Sequence, residues 1–188
     1  MASPAETTLR GLDRPTGPAS PTAPGPSLHG YDLGLVLLRV VVGLTMAAHG
    51  SQKLFGWFDG AGLDGTGRFF TMSGYPSGKA MATVAGLTET FGGLALVIGL
   101  CTPLAAAAIV GTMINAIAVK WDGGFFAPNG VEYELLLTSA AAALALTGPG
   151  RLAVDRFLPV LRAHRLAYGI AAVVIGVVTA GVILVLRD

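Results

Sequence analysis

The chain has 188 residues, of which 53% are apolar and 12% charged, with a formal net charge of +1. A soluble domain carries about 25% charged residues, so this composition, with a mean hydropathy of +0.67, excludes an ordinary water-soluble globule, and the charge balance gives no electrostatic case for nucleic acid. The single cysteine, Cys101, excludes an intramolecular disulfide and a self-contained dithiol oxidoreductase.

Residues 1–30 hold six of the eleven prolines. Such a stretch buries too little apolar area to offset its ordering entropy, and it lacks the apolar core of a signal peptide. The expectation is a disordered tail. Five apolar runs follow, at about Asp32–Ser51, Ser77–Gly99, Pro103–Val119, Glu132–Thr147 and Leu166–Leu186. A helix crosses a bilayer core with about 20 residues, so the third and fourth runs are short and recruit flanking residues or meet a thinned bilayer. The runs lack period-2 alternation and are rich in Ala, Leu and Gly, which excludes a transmembrane barrel. An all-α membrane protein with a fifth C-terminal transmembrane helix is expected.

The boundaries carry helix punctuation. Ser77 suits an N-cap for the second helix. Thr102-Pro103 suits the third, with Thr as cap and Pro at the first helical position. Asn129-Gly130-Val131-Glu132 resembles a capping box for the fourth. Arg151, Arg156, Arg162 and Arg165 cluster between runs four and five, and Arg10 and Arg14 lie in the tail. With five spans these regions share one side, which the positive-inside rule makes cytoplasmic. Within the loop between runs four and five, Phe157, Leu158, Val160 and Leu161 alternate with the arginines, as in an interfacial amphipathic turn. On the outer side, Lys53 with Trp57 and Lys120 with Trp121 each join a cation to an aromatic cluster. That pattern suits an interfacial aromatic belt, or two loops folded together as a cap over the bundle.

Arg39, His49 and Glu89 interrupt the apolar runs. A charge at membrane depth costs several kcal/mol and persists when it is paired, faces the interior or is functional. Counting from the starts of their runs places Arg39 and Glu89 at similar depth. Arg39, Gly43 and Ala47 share one helical face, as do Ala85, Glu89 and Gly93, and small residues let helices approach. An Arg39–Glu89 intramembrane ion pair is therefore expected. Nearer the outside, His49, Lys53, Asn115, Lys120, Glu132 and Glu134 converge as a polar cavity or cap. His49, Glu89 and Glu134 are the candidate proton-handling groups, since His titrates near neutrality and burial or neighbouring charge can move a carboxylate.

At these residues the chain resembles the DoxX family of small bacterial membrane proteins. The resemblance rests on His49-Gly-Ser-Gln-Lys-Leu-Phe-Gly-Trp-Phe58, Gly86-Leu-Thr-Glu-Thr-Phe-Gly-Gly93 and Gly99-Leu-Cys-Thr-Pro-Leu104. It rests also on Gly124-Phe-Phe-Ala-Pro-Asn-Gly130 with Glu132-Tyr-Glu-Leu-Leu-Leu137, and on Thr147-Gly-Pro-Gly-Arg151 with Asp155-Arg156. It covers residues 31–158 and implies a four-helix transmembrane core in the cytoplasmic membrane of a bacterium. Residues 159–188, the basic interfacial segment and fifth helix, and the tail lie outside that core. Where relatives often carry His before Trp-x-x-Gly-Phe-Phe, this chain has Lys120, which weakens any two-histidine site. The family is named for its likeness to a subunit of a thiosulfate:quinone oxidoreductase, which implies redox-linked work with thiol and oxidative-stress partners.

Three functions follow as expectations. The first is a redox-linked subunit that binds a quinone or a thiol compound, or docks a soluble redox enzyme. The chain shows no cysteine cluster, no haem-type His pair and no flavin fingerprint, so electrons come from a partner or substrate. The second is an assembly scaffold in which polar residues only fix the bundle. The third is a transporter for a small solute or proton along a polar line from Arg39 to His49; a bundle this small would need to act as a homo-oligomer.

Overall fold

The computed structural model describes residues 27–187, so the expected proline-rich tail lies outside it except for its last residues. Leu28–Gly30, assigned to the tail by composition, are the first turn of a helix. Six α-helices occur among the described residues: α1 (Leu28–Phe55), α2 (Gly62–Met72), α3 (Gly78–Ile98), α4 (Thr102–Lys120), α5 (Glu132–Thr147) and α6 (Leu166–Val185). No strand occurs among the described residues. Helices α1, α3 and α6, and α4 with its 3-10 extension to Gly123, are long and apolar enough to span a membrane. Helix α5 has 16 residues, about 24 Å at 1.5 Å per residue, and completes the bundle.

Helices α1, α3, α4 and α5 pack in a ring, each on the next, and α6 lies outside against α4 and α5. The protein is an all-α membrane protein. The chain ends of α1 (start), α3 (finish), α4 (start), α5 (finish) and α6 (start) define a tail end, and the opposite face is the loop end. Helix α2 packs on α3 and α1 at the loop end. Its run Gly62-Leu-Asp-Gly-Thr-Gly has low helix propensity, so nothing in the sequence marked it as helical.

Glycines set how the helices meet. A Cβ on Gly43 would lie 2.5 Å from the Gly93 carbonyl oxygen, and one on Gly50 would lie 2.6 Å from that of Gly86. The two backbones touch, as small residues permit in apolar surroundings. Helix α6 docks through Gly169, Ala172, Gly176 and Ala180, all buried, with Gly176 against the backbone of Ala107 and Gly111. Arg187 closes this contact, donating from Nε to the Ser73 carbonyl at 2.7 Å and lying over the Tyr75 ring. Overpacking a tight contact costs about 1–3 kcal/mol. Gly43→Val is therefore expected to destabilise the protein by about 2 kcal/mol in SDS-induced unfolding, whereas Gly34→Val, in open space, changes little.

An apolar layer fills the middle of the ring. Met46, Leu96, Ile109 and Leu144 are fully buried there, with Val42, Val110 and Ala141 around them. Above and below it lie two separate polar clusters.

Candidate functional site

The loop-end cluster draws on α1, α3, α4 and α5. Lys53 lies one turn beyond His49 on α1, which continues four residues past Ser51, the end expected from hydropathy. Its Nζ donates to Glu89 Oε2 on α3 at 2.6 Å. Lys120, in the last turn of α4, donates to Glu134 Oε1 in the first turn of α5 at 2.8 Å. Each cation thus ties two neighbouring helices, and each carboxylate is buried. His49 Nε2 lies 3.0 Å from the Tyr133 hydroxyl. Tyr75 donates to Asn115 Oδ1 at 3.0 Å, and Asn115 Nδ2 donates to the Gly111 carbonyl, so Asn115 is satisfied within the fold. Burial raises the Tyr75 phenol above its ordinary value, and nearby Arg187 partly opposes that.

These side chains form the polar end of a cavity of about 480 Å³. Its long walls are apolar. Ala85 and Thr88 come from α3, Ala108 and Thr112 from α4, and Ile175 and Thr179 from α6. Val84, Leu104 and Ile175 line it and are exposed, so the cavity opens on the lipid-facing side of the helices. Glu134 Oε2 is buried and has no hydrogen-bond partner among the described residues. A carboxylate oxygen left in that state costs free energy and is ready to accept a hydrogen bond from a molecule in the cavity.

The expected Arg39–Glu89 pair does not form. The Gly43–Gly93 and Gly50–Gly86 contacts place Glu89 level with His49 and Lys53, and place Arg39 opposite Gly99. Counting from run ends failed because the ends are not level: α1 begins at Leu28, well beyond the Ile98 end of α3, which lies beside Arg39. Arg39 belongs instead to the tail-end cluster. Its Nη2 donates to the Leu152 carbonyl at 2.6 Å. Nε and Nη1 have no partner among the described residues. Asp155 accepts the amides of Cys101 at 2.6 Å and Thr102 at 2.9 Å, and so caps α4 from a distant loop.

Other expectations change too. Thr102 is not the cap of α4; Cys101 holds that position and the Thr102 hydroxyl is buried without a partner among the described residues. Ser77 stands at the cap position of α3 but makes no side-chain cap bond. Glu132 makes no capping box, since its Oε1 accepts the Ala127 amide at 2.8 Å. Trp57 and Trp121 are exposed and neither lines the cavity, nor does Glu132, so the aromatic loops do not cover it. Sequence reasoning missed Tyr133, Tyr75, Asp32 and Asp155. The first sits beside Glu134 in the quoted Glu132-Tyr-Glu run, the only signal that could have found it.

A sequence model of DoxX matches residues 34–121. The chain is similar to a Bacillus subtilis protein named "Putative oxidoreductase CatD", at 37% identity over 129 residues, which cover 68% of this chain and 89% of that one. It is similar to the Escherichia coli inner membrane protein YphA at 30% identity, covering 65% of this chain and 88% of the relative. An uncharacterised membrane protein of Mycobacterium tuberculosis is 30% identical over 156 residues, covering 76% and 92% of the two chains. No solved structure gave a significant match.

Proposed function

The chain belongs to the DoxX family, and from that premise we propose that it is a redox-linked subunit of the bacterial inner membrane whose loop-end cavity receives a quinone. The tail end faces the cytoplasm in this reading, because the arginines of the 151–165 segment lie there. The observation that carries the proposal is the cavity itself, apolar along its length, polar at one end, and holding a buried carboxylate oxygen with no partner. Pockets of that kind orient an apolar ligand by a few polar groups. A quinone accepts two electrons and two protons when reduced to a quinol, and the electrons come from a thiol compound or a docked redox enzyme.

The chain's own residues then have distinct parts. Glu134 Oε2 accepts from a quinol hydroxyl. His49, held by Tyr133, is the proton carrier of the cavity. Glu89 is kept in place by Lys53 and shapes the polar end. The exposed apolar mouth admits a lipid-soluble molecule from the bilayer. The two ion pairs each link neighbouring helices, which is the observation that favours a scaffold role without ligand. The polar line needed by a transporter is interrupted by the layer of Met46, Leu96, Ile109 and Leu144.

The test is photo-crosslinking of detergent-purified protein with a photoreactive quinone, mapped by peptide mass spectrometry. Labelling is expected on α3, α4 and α6 peptides that line the cavity and to be competed by unlabelled quinone. A hydrogen bond to a charged group contributes about 1.5–3 kcal/mol, so Glu134→Gln should weaken quinone binding about tenfold or more. Labelling confined to the outer lipid surface, uncompeted, would sink the quinone reading and leave the scaffold.

A further inference from the structure

The tail end carries a second cavity, of about 650 Å³, unlike the first in its charge. His29 from α1, Arg151, Arg156 and Arg162 from the segment after α5, and His164 before α6 line it. Two carboxylates also line it, and both are already engaged. Asp32 accepts the Arg151 amide at 2.9 Å and its Nε at 2.6 Å. Asp155 is 1% exposed and turned onto the start of α4. Arg156 and Arg162 have no ion pair among the described residues. The same cavity is rimmed by exposed Leu33 and Leu152, with Phe157 and Val160 exposed nearby.

Two surplus guanidiniums in a recess, with an apolar rim beside the lipid-facing helices, match a ligand with a phosphate at one end and hydrocarbon at the other. Guanidinium forks suit phosphate oxygens, and basic pockets between membrane helices take acidic lipid headgroups. We propose that this pocket is a binding site for the phosphate headgroup of an anionic phospholipid, held by Arg156 and Arg162. The site is independent of the quinone reading, because the two cavities share no lining residue. It would also fix the 151–165 segment against α1.

The test is native mass spectrometry of the full chain in mild detergent, titrated with phosphatidylglycerol or phosphatidylcholine of identical acyl chains. Phosphatidylglycerol is expected to be retained preferentially. Each basic residue near a lipid surface contributes roughly a fivefold gain in affinity for acidic lipid. Arg162→Gln should therefore lower phosphatidylglycerol affinity roughly fivefold and Arg156→Gln/Arg162→Gln roughly 25-fold, with phosphatidylcholine unaffected. Arg68→Gln, exposed on α2, serves as the charge control and should leave retention unchanged. All three variants are surface changes, and their melting curves verify folding. Equal retention of the two lipids, or an unaltered double variant, overturns the proposal. Displacement by millimolar inorganic phosphate would overturn the lipid assignment in favour of a free-phosphate site.

Discussion

Lys53→Met is expected to destabilise the protein by about 3–5 kcal/mol, the cost of leaving a buried carboxylate without its cation. Glu89 is 1% exposed whereas the Lys53 side chain is 25% exposed. The two halves of the pair are therefore unequal. With Glu89 gone, Lys53 can extend toward water along its own methylenes, so Glu89→Gln should cost only about 1–2 kcal/mol. SDS-induced unfolding of the two singles and of Lys53→Met/Glu89→Gln gives the cycle. A coupling of about 1–3 kcal/mol is expected there. Arg39→Gln and Glu89→Gln, in separate clusters, should add to within about 0.5 kcal/mol. A strong Arg39–Glu89 coupling would contradict the register set by the glycines.

Asp155→Ala is the second large effect, at about 2–3 kcal/mol by thermal or SDS unfolding, the cost of two buried amides losing a charged acceptor. One residue serves two elements. Its carboxylate satisfies the first amides of α4, while its own backbone amide donates to the Gly99 carbonyl after α3 at 2.9 Å. Removal of the carboxylate uncaps α4 and cuts the side-chain tie between that helix and the 154–157 turn. Asp32→Ala offers the contrast. Arg151, its partner, has a side chain 57% exposed, and surface pairs of that sort contribute about 0–1 kcal/mol. If the two aspartates prove equally costly, Asp155 is not the keystone of the tail end.

Hydropathy and composition carried the fold class, the helix count of the bundle and most helix ends, because burial in lipid demands long apolar runs with internally satisfied backbones. The grouping of His49, Lys53, Lys120 and Glu134 at one end was legible too, since each sits near the same end of its run. Vertical register was not. An apolar run shows that a helix crosses, but where two helices touch is decided by packing. Here the glycines at 43, 50, 86 and 93 shifted Glu89 from Arg39 to Lys53. The Asp155 cap was hidden for a related reason. A capping residue is sought next to its helix, and this one lies 53 residues after Thr102. Helix α2 was hidden by its glycines, whose low propensity is overridden by packing on α1 and α3.

The apolar layer across the middle of the ring contributes no titratable side chain between the two polar clusters. Moving one elementary charge through a membrane potential involves about 2.3 kcal/mol per 100 mV, and a stack of Met46, Leu96, Ile109 and Leu144 provides no stepping stone for it. Protons handled in the loop-end cavity would enter and leave on one aqueous side. With the electrons delivered from that same side, such turnover would move no net charge across the membrane.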